Sequence, residues 1–191
     1  MQDERLLRKS FAMISLMNKQ PDYSLVKPDP DRDAPFALSW FTSPHGKETL
    51  LRMGNSENSI KESTLDGEKE TLVEFLELEK QQKQITWMIC TDEKTIGAVW
   101  LELKPTKYLK APAVHIMIGD TNYRGRGIGK SVMKEMIEYS RDTLRTQTIY
   151  SRRLQSNNAI ATVFKSLGFV NDGELYEDND GLLWQNVMIN P

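Results

Sequence analysis

Residues 123–131, YRGRGIGKS, constrain this chain more than any other segment. Three glycines at alternate positions, Gly125, Gly127 and Gly129, stand between a short apolar run and an amphipathic one. Without Cβ atoms the backbone can turn sharply there, and a ligand can approach its N–H groups. A helix opening directly behind the turn adds unpaired N–H donors and about half a positive charge. Arg124, Arg126 and Lys130 add whole charges. The guest such a turn suits is a phosphate or pyrophosphate.

The flanks fix the context. Ala113–Ile118 (AVHIMI) is a nearly continuous apolar run, as in a strand buried on both faces. Residues 129–144 read as an amphipathic helix with Val132, Met133, Met136, Ile137 and Leu144 inward. A strand over 148–154 completes a β-α-β unit, whose crossover should be right-handed and whose strands should be parallel. Around it, residues 85–91 and 95–103 read as a hairpin, and 170–177 with 182–189 as a closing hairpin about Asn179-Asp180-Gly181. A helix over 157–167 ends at Gly168, a suitable C-terminal cap. Upstream, residues 21–35 are rich in proline and aspartate. They read as a break with room for one strand at 23–27 but no long helix. Helices are expected over 34–41, 46–53 and 64–82. The fold class is thus α+β: a mixed, mostly antiparallel twisted sheet, with a β-α-β unit at its centre and helices on both faces.

Composition narrows the function. The 191 residues suit one domain over 21–191, preceded by a helical extension over 1–20. The net charge is 25 − 27 = −2, which speaks against a nucleic-acid binder. One cysteine, Cys90, excludes an intramolecular disulfide, and with only His45 and His115 beside it no metal site is expected. The apolar stretch in residues 1–20 is too short and interrupted for a membrane span or a signal peptide, so a cytoplasmic protein is expected.

Three phosphate-binding patterns compete for the loop. The dinucleotide pattern Gly-x-Gly-x-x-Gly is one residue too long for Gly125-x-Gly127-x-Gly129. The P-loop pattern matches at Gly129-Lys130-Ser131, but its first glycine would fall on Arg124. The coenzyme A pattern Gln/Arg-x-x-Gly-x-Gly/Ala fits Arg124-Gly125-Arg126-Gly127-Ile128-Gly129 throughout.

Here the chain resembles the GNAT N-acetyltransferase superfamily, in a general way its ribosomal-protein and antibiotic branches. Residues 157–169, NNAIATVFKSLGF, resemble that family's second signature, and the likeness runs closely over 85–189 and loosely over 23–83. The resemblance implies direct attack of a primary amine on the thioester of acetyl-CoA, with no metal. It implies that the fourth strand splays from the fifth, so that backbone near Met117 and Ile118 holds the pantetheine arm. The coenzyme site would comprise Met117, Ile118, Arg124, Gly125, Arg126, Gly127, Ile128, Gly129, Lys130, Ser131, Asn157 and Phe164. Asn157 also suits a helix N-cap.

Catalytic groups are harder to read. His115 has a suitable intrinsic pKa and precedes the loop; Glu102, on the neighbouring strand, is the other candidate proton acceptor. Many family members carry a tyrosine where this chain has Phe164, so Tyr176, Tyr150 or Tyr123 would have to supply a proton to the thiolate. Lys165 could reach coenzyme phosphates. Arg152 and Arg153, adjacent on one strand, must point to opposite faces. The acceptor amine is left open; acidic residues Glu174, Glu177, Asp178 and Asp180 would favour a cationic one, and Trp40, Phe41 and His45 lie on its expected side. Coenzyme A and an amine are the expected partners, and neither nucleic acid nor a membrane is. A homodimer through sheet or hairpin contacts is compatible with the pattern. A non-catalytic acyl-CoA-binding module and a nucleotide-binding ATPase or kinase are the alternatives.

Overall fold

The computed structural model describes residues 22–92 and 94–190; the helix expected over 1–20 lies outside them. The described elements are β1 (Ser24–Val26), α1 (Pro30–Thr42), α2 (Gly46–Arg52), α3 (Leu65–Lys80), β2 (Gln84–Cys90), β3 (Thr95–Glu102), β4 (Ala113–Ile118), a 3₁₀ turn (Thr121–Tyr123), α4 (Ile128–Asp142), β5 (Ile149–Leu154), α5 (Asn158–Leu167), β6 (Val170–Asn171), β7 (Tyr176–Glu177) and β8 (Leu183–Ile189). The strands form one sheet in the order β1-β2-β3-β4-β5-β8-β6, with β7 also on β8. Every pairing is antiparallel except β4 with β5. The expected α+β architecture is therefore present.

Helices cover both faces. Ile128, Val132, Met133, Met136 and Ile137 recur at helical spacing along α4 and are all buried. They pack with Val99, Leu101, Val114, Ile149, Val187 and, from α5, Phe164. Each such side chain contributes roughly 1.5–3 kcal/mol on burial. On the opposite face Ala34, Ala37 and Trp40 of α1 and Leu72 of α3 pack on Met88 and Ala98.

Two local readings need correction. The proline-rich segment does hold a helix: α1 starts at Pro30, not at residue 34. Proline is well placed in the first turn, where its missing N–H has no partner to lose. The Asp29 side chain accepts from the Asp31 and Arg32 N–H groups at 3.0 and 3.1 Å. Pro35 lies within the helix, where its ring removes the bond to the Asp31 carbonyl at the exposed side. The strand expected over 170–177 is instead two short pieces, β6 and β7, with Gly173 at φ +85° between them.

Asp33 anchors α1 to the sheet. Its fully buried carboxylate accepts from the Arg32 guanidinium at 2.7 and 2.8 Å, the Asp29 N–H at 2.8 Å and the Thr95 hydroxyl at 2.7 Å. Thr95→Val deletes one donor from a buried acceptor, which costs about 1–3 kcal/mol. The expected drop in melting temperature is roughly 2–12 °C by thermal unfolding.

Candidate active site

The site begins where two strands part. β4 and β5 pair at a single position, Ala113 with Tyr150. The Tyr150 N–H donates to the Pro112 carbonyl at 2.9 Å, and the buried Ser151 hydroxyl donates to the Val114 carbonyl at 2.6 Å. Beyond that point the strands diverge while β4 stays paired with β3 as far as Ile118 with Gly97. A cavity of about 470 Å³ lies here, lined by Val114 through Ile118, Ser151 through Leu154, and the glycine loop. Its size is that of an ordinary ligand cleft.

The loop closes one end. Gly125 and Gly127 have φ +72° and +84°, a region L side chains rarely adopt, and an added Cβ at either would project into open space. Gly127 is the N-cap of α4 and brings no side-chain cap bond. The first N–H groups of α4 are thus left for a guest. Open space above left-handed glycines, at an uncapped helix N-terminus, fits a pyrophosphate. Gly129 and Lys130 line the same cavity, with Lys130 exposed, whereas Ser131 donates its N–H to the Gly127 carbonyl at 3.1 Å. Arg126 is exposed and stacks over the Tyr123 ring at 5.0 Å.

Arg124 lines the cavity and is also engaged by the protein itself. Its guanidinium donates to the Ile118 carbonyl at 2.8 Å, the Gly119 carbonyl at 3.4 Å and the Thr49 hydroxyl at 2.9 Å. It therefore pins the end of β4 to α2. Burial, with the nearby Arg52 charge, holds its pKa below the ordinary arginine value. Asn157 links the same helix to the other wall. Its Oδ1 accepts from the Ile160 N–H at 3.3 Å as the N-cap of α5, and its Nδ2 donates to the Arg52 carbonyl at 3.2 Å. Phe164 is buried against Phe169 and also lines the cavity. Lys165 is exposed and does not.

The two candidate proton acceptors meet. His115 and Glu102 project from adjacent strands onto one face, with His115 Nε2 3.5 Å from Glu102 Oε1. Nε2 is buried and makes no aligned hydrogen bond among the described residues. The ring stacks on Trp100, with centroids 5.3 Å apart and planes 18° apart. Contact with His115, and more weakly the charge of Arg152, holds the Glu102 carboxyl below its usual range although burial opposes this. Trp100, Glu102 and His115 all line the cavity.

The tyrosines separate. Tyr123 lines the cavity; Tyr176 and Tyr150 do not. Tyr176 donates to Asn186 Oδ1 at 3.2 Å and stacks on Tyr108. Lys110 Nζ sits over the Tyr150 ring. Of the acceptor-side candidates, Trp40 is core, and His45 is exposed beside Glu48. Glu174, Glu177 and Asp180 are exposed, while Asp178 accepts from the Trp184 indole at 2.7 Å. Sequence reasoning gave no site role to Thr49, Arg52, Met53 or Trp184, all of which line the cavity. Their local signs were no more than a short helix and a tryptophan on the last strand. Among the described residues no group of three His, Cys, Asp or Glu could hold a metal, and no helix is long and apolar enough to cross a membrane.

Comparison with known proteins agrees with this geometry. Residues 24–170 match the acetyltransferase (GNAT) domain family. No curated protein sequence matches the chain. Among solved structures, the microcin C7 self-immunity acetyltransferase, in complex with acetyl-CoA and AMP, superposes with a TM-score of 0.74 at 12% identity, over 90% of this chain and 94% of that one. Spermidine N-acetyltransferase from Vibrio cholerae, in complex with CoA and spermine, gives 0.69 at 15% identity over 90% and 96%. Ribosomal-protein-S5-alanine acetyltransferase from Vibrio fischeri gives 0.70 at 19% over 90% and 94%. With its parted central strands, its glycine cradle and a family match over most of its length, the chain belongs to the GNAT family and is an acetyl-CoA-dependent N-acyltransferase.

Proposed function

We propose that the enzyme moves an acetyl group from acetyl-CoA to the primary amine of an acceptor bound beside Glu102 and His115. The observation that carries this reading is the opening between β4 and β5, which leads from the uncapped N-terminus of α4 to the Glu102–His115 pair. The coenzyme supplies the activated thioester. The N–H groups of residues 127–130 would hold its pyrophosphate, and β4 backbone near Met117 and Ile118 would hold its arm. Preorganised main-chain donors at that strand favour the charge that develops on a carbonyl oxygen during acyl transfer.

An alkyl amine with a pKa near 10.4 arrives protonated, and removing its proton at pH 7 costs about 4–5 kcal/mol. The pair on the sheet face answers that need. Glu102 stays ionised, its carboxyl held below the usual range by contact with His115, and His115 lies 3.5 Å from it as its partner in proton transfer. Phe164 offers no proton to the departing thiolate; Tyr123 is the one tyrosine of the three candidates on the cavity wall.

Thermal unfolding with coenzyme A, acetyl-CoA, ATP plus magnesium, and NADH tests the donor site. At a hundredfold excess over Kd, binding adds about 2.7 kcal/mol. That corresponds to a rise of roughly 5–11 °C. The rise is expected for the two coenzyme A species only. A rise with ATP or NADH instead would assign the loop to a nucleotide.

A further inference from the structure

Arg152 stands out among the charged groups on the acceptor face. It lies on β5 two residues beyond Tyr150, and His115 lies on β4 two residues beyond Ala113, so the two flank the opening just past the last paired position. Arg152 is half-buried in the cavity wall, with its guanidinium over the Trp184 ring at 4.2 Å. Trp184 is itself 5% exposed and fixed by its bond to Asp178. The arginine is therefore held in place by stacking. Yet among the described residues it makes no hydrogen bond and no ion pair. Asp178 and Glu102 feel its charge without closing on it. The neighbouring Arg153 differs: it donates to the Leu154 and Gln155 carbonyls.

A planar guanidinium held by an aromatic ring, with its donors unused in a ligand cleft, suits a carboxylate. Glu102 lies on the same face, so the cleft presents a negative group and a positive one side by side. A doubly charged phosphate would be repelled by Glu102, whereas a singly charged carboxylate next to a cationic amine matches both. Resting on the acetyl-transfer reading, we infer that the acceptor is a zwitterionic amino acid or a short peptide whose carboxylate binds Arg152 while its amine faces Glu102 and His115. A polyamine would leave Arg152 unpaired and repelled.

The test compares L-amino acids, their C-terminal amides, phosphoethanolamine and spermidine as acceptors, by thiol release from acetyl-CoA. The same compounds are titrated calorimetrically without coenzyme, and coenzyme A affinity is measured separately. The wild type should prefer the free acids to their amides. Arg152→Gln should raise KM for the acids by about tenfold to a hundredfold, with a much smaller effect on the amides and on coenzyme A affinity. Arg152→Lys should recover part of the loss. A wild type with no carboxylate preference in turnover or calorimetry, or an Arg152→Gln variant that weakens acids and amides alike, overturns the assignment of Arg152. Failure to bind coenzyme A would sink the acetyl-transfer reading instead, and the calorimetric arm would still decide what Arg152 binds.

Discussion

Gly127→Val should bind coenzyme A at least about a hundredfold more weakly than the wild type, a change near 2.7 kcal/mol. Two effects combine. At φ +84° any side chain strains the backbone, by roughly 1–2 kcal/mol. The new side chain would also fill the space above the turn, where an added Cβ now meets nothing, and would hold an anion away from the N–H groups. Losing one or two charge-assisted bonds costs about 1.5–3 kcal/mol each. Gly181→Val separates the two effects. Its φ is +76°, in the turn between β7 and β8, and an added Cβ there would make only an ordinary contact with Glu177 at 3.7 Å. Gly181→Val should therefore lose comparable stability but keep coenzyme affinity. If Gly127→Val folds and binds coenzyme A as tightly as Gly181→Val does, the cradle lies elsewhere.

Glu102→Gln and His115→Gln should each lower kcat by about a hundredfold to ten-thousandfold, the range for loss of general acid–base assistance. Coenzyme A affinity should stay within about twofold of wild type, since neither residue adjoins the glycine loop. Because the two groups act together, the double variant should be little worse than the poorer single one. A stability measurement checks the pairing independently. The folded-state pKa of Glu102 is depressed, so its contribution is present above the ordinary glutamate value and is lost as pH falls through the lower, folded value. Wild type and Glu102→Gln should therefore differ at neutral pH and converge in acid, below about pH 4.3. Full turnover in both single variants would show that the amine loses its proton to another group or to water.

Some of this molecule was legible in its amino-acid order. β4 falls on Ala113–Ile118 as the apolar run indicated, but only Ala113 and Val114 are fully buried; the next four residues are half-buried because they face the cleft. α5 was bounded by its own chemistry, an Asn157 cap at one end and Gly168 at φ +90° at the other. The loop was legible because glycine spacing encodes a backbone path. What stayed hidden was long-range. Arg124 could be nominated from the loop, but its contact with Thr49, 75 positions away, could not. Glu102 and His115 could be nominated separately, but only the β3–β4 register puts them on one face. Arg152 and Trp184 meet through the β5–β8 pairing, which no periodicity within either strand announces. The start of α1 was obscured for a different reason: Pro30 and Asp29 favour a turn and a helix entry equally, and tertiary packing of Ala34 and Ala37 decides.

The Ser151 hydroxyl that meets the Val114 carbonyl marks the last stitch of a seam left deliberately open. Past it, main-chain atoms rather than side chains would do most of the holding on the donor side. A site written in the main chain leaves few letters for natural selection to preserve. That is consistent with architectures superposing at TM-scores near 0.7 while sharing only 12–19% of their residues. The site also couples the two sides of the cleft. α2 lines the cavity and at the same time holds Arg124 through Thr49 and Asn157 through the Arg52 carbonyl, so a change of sequence there would be felt at the glycine loop as well.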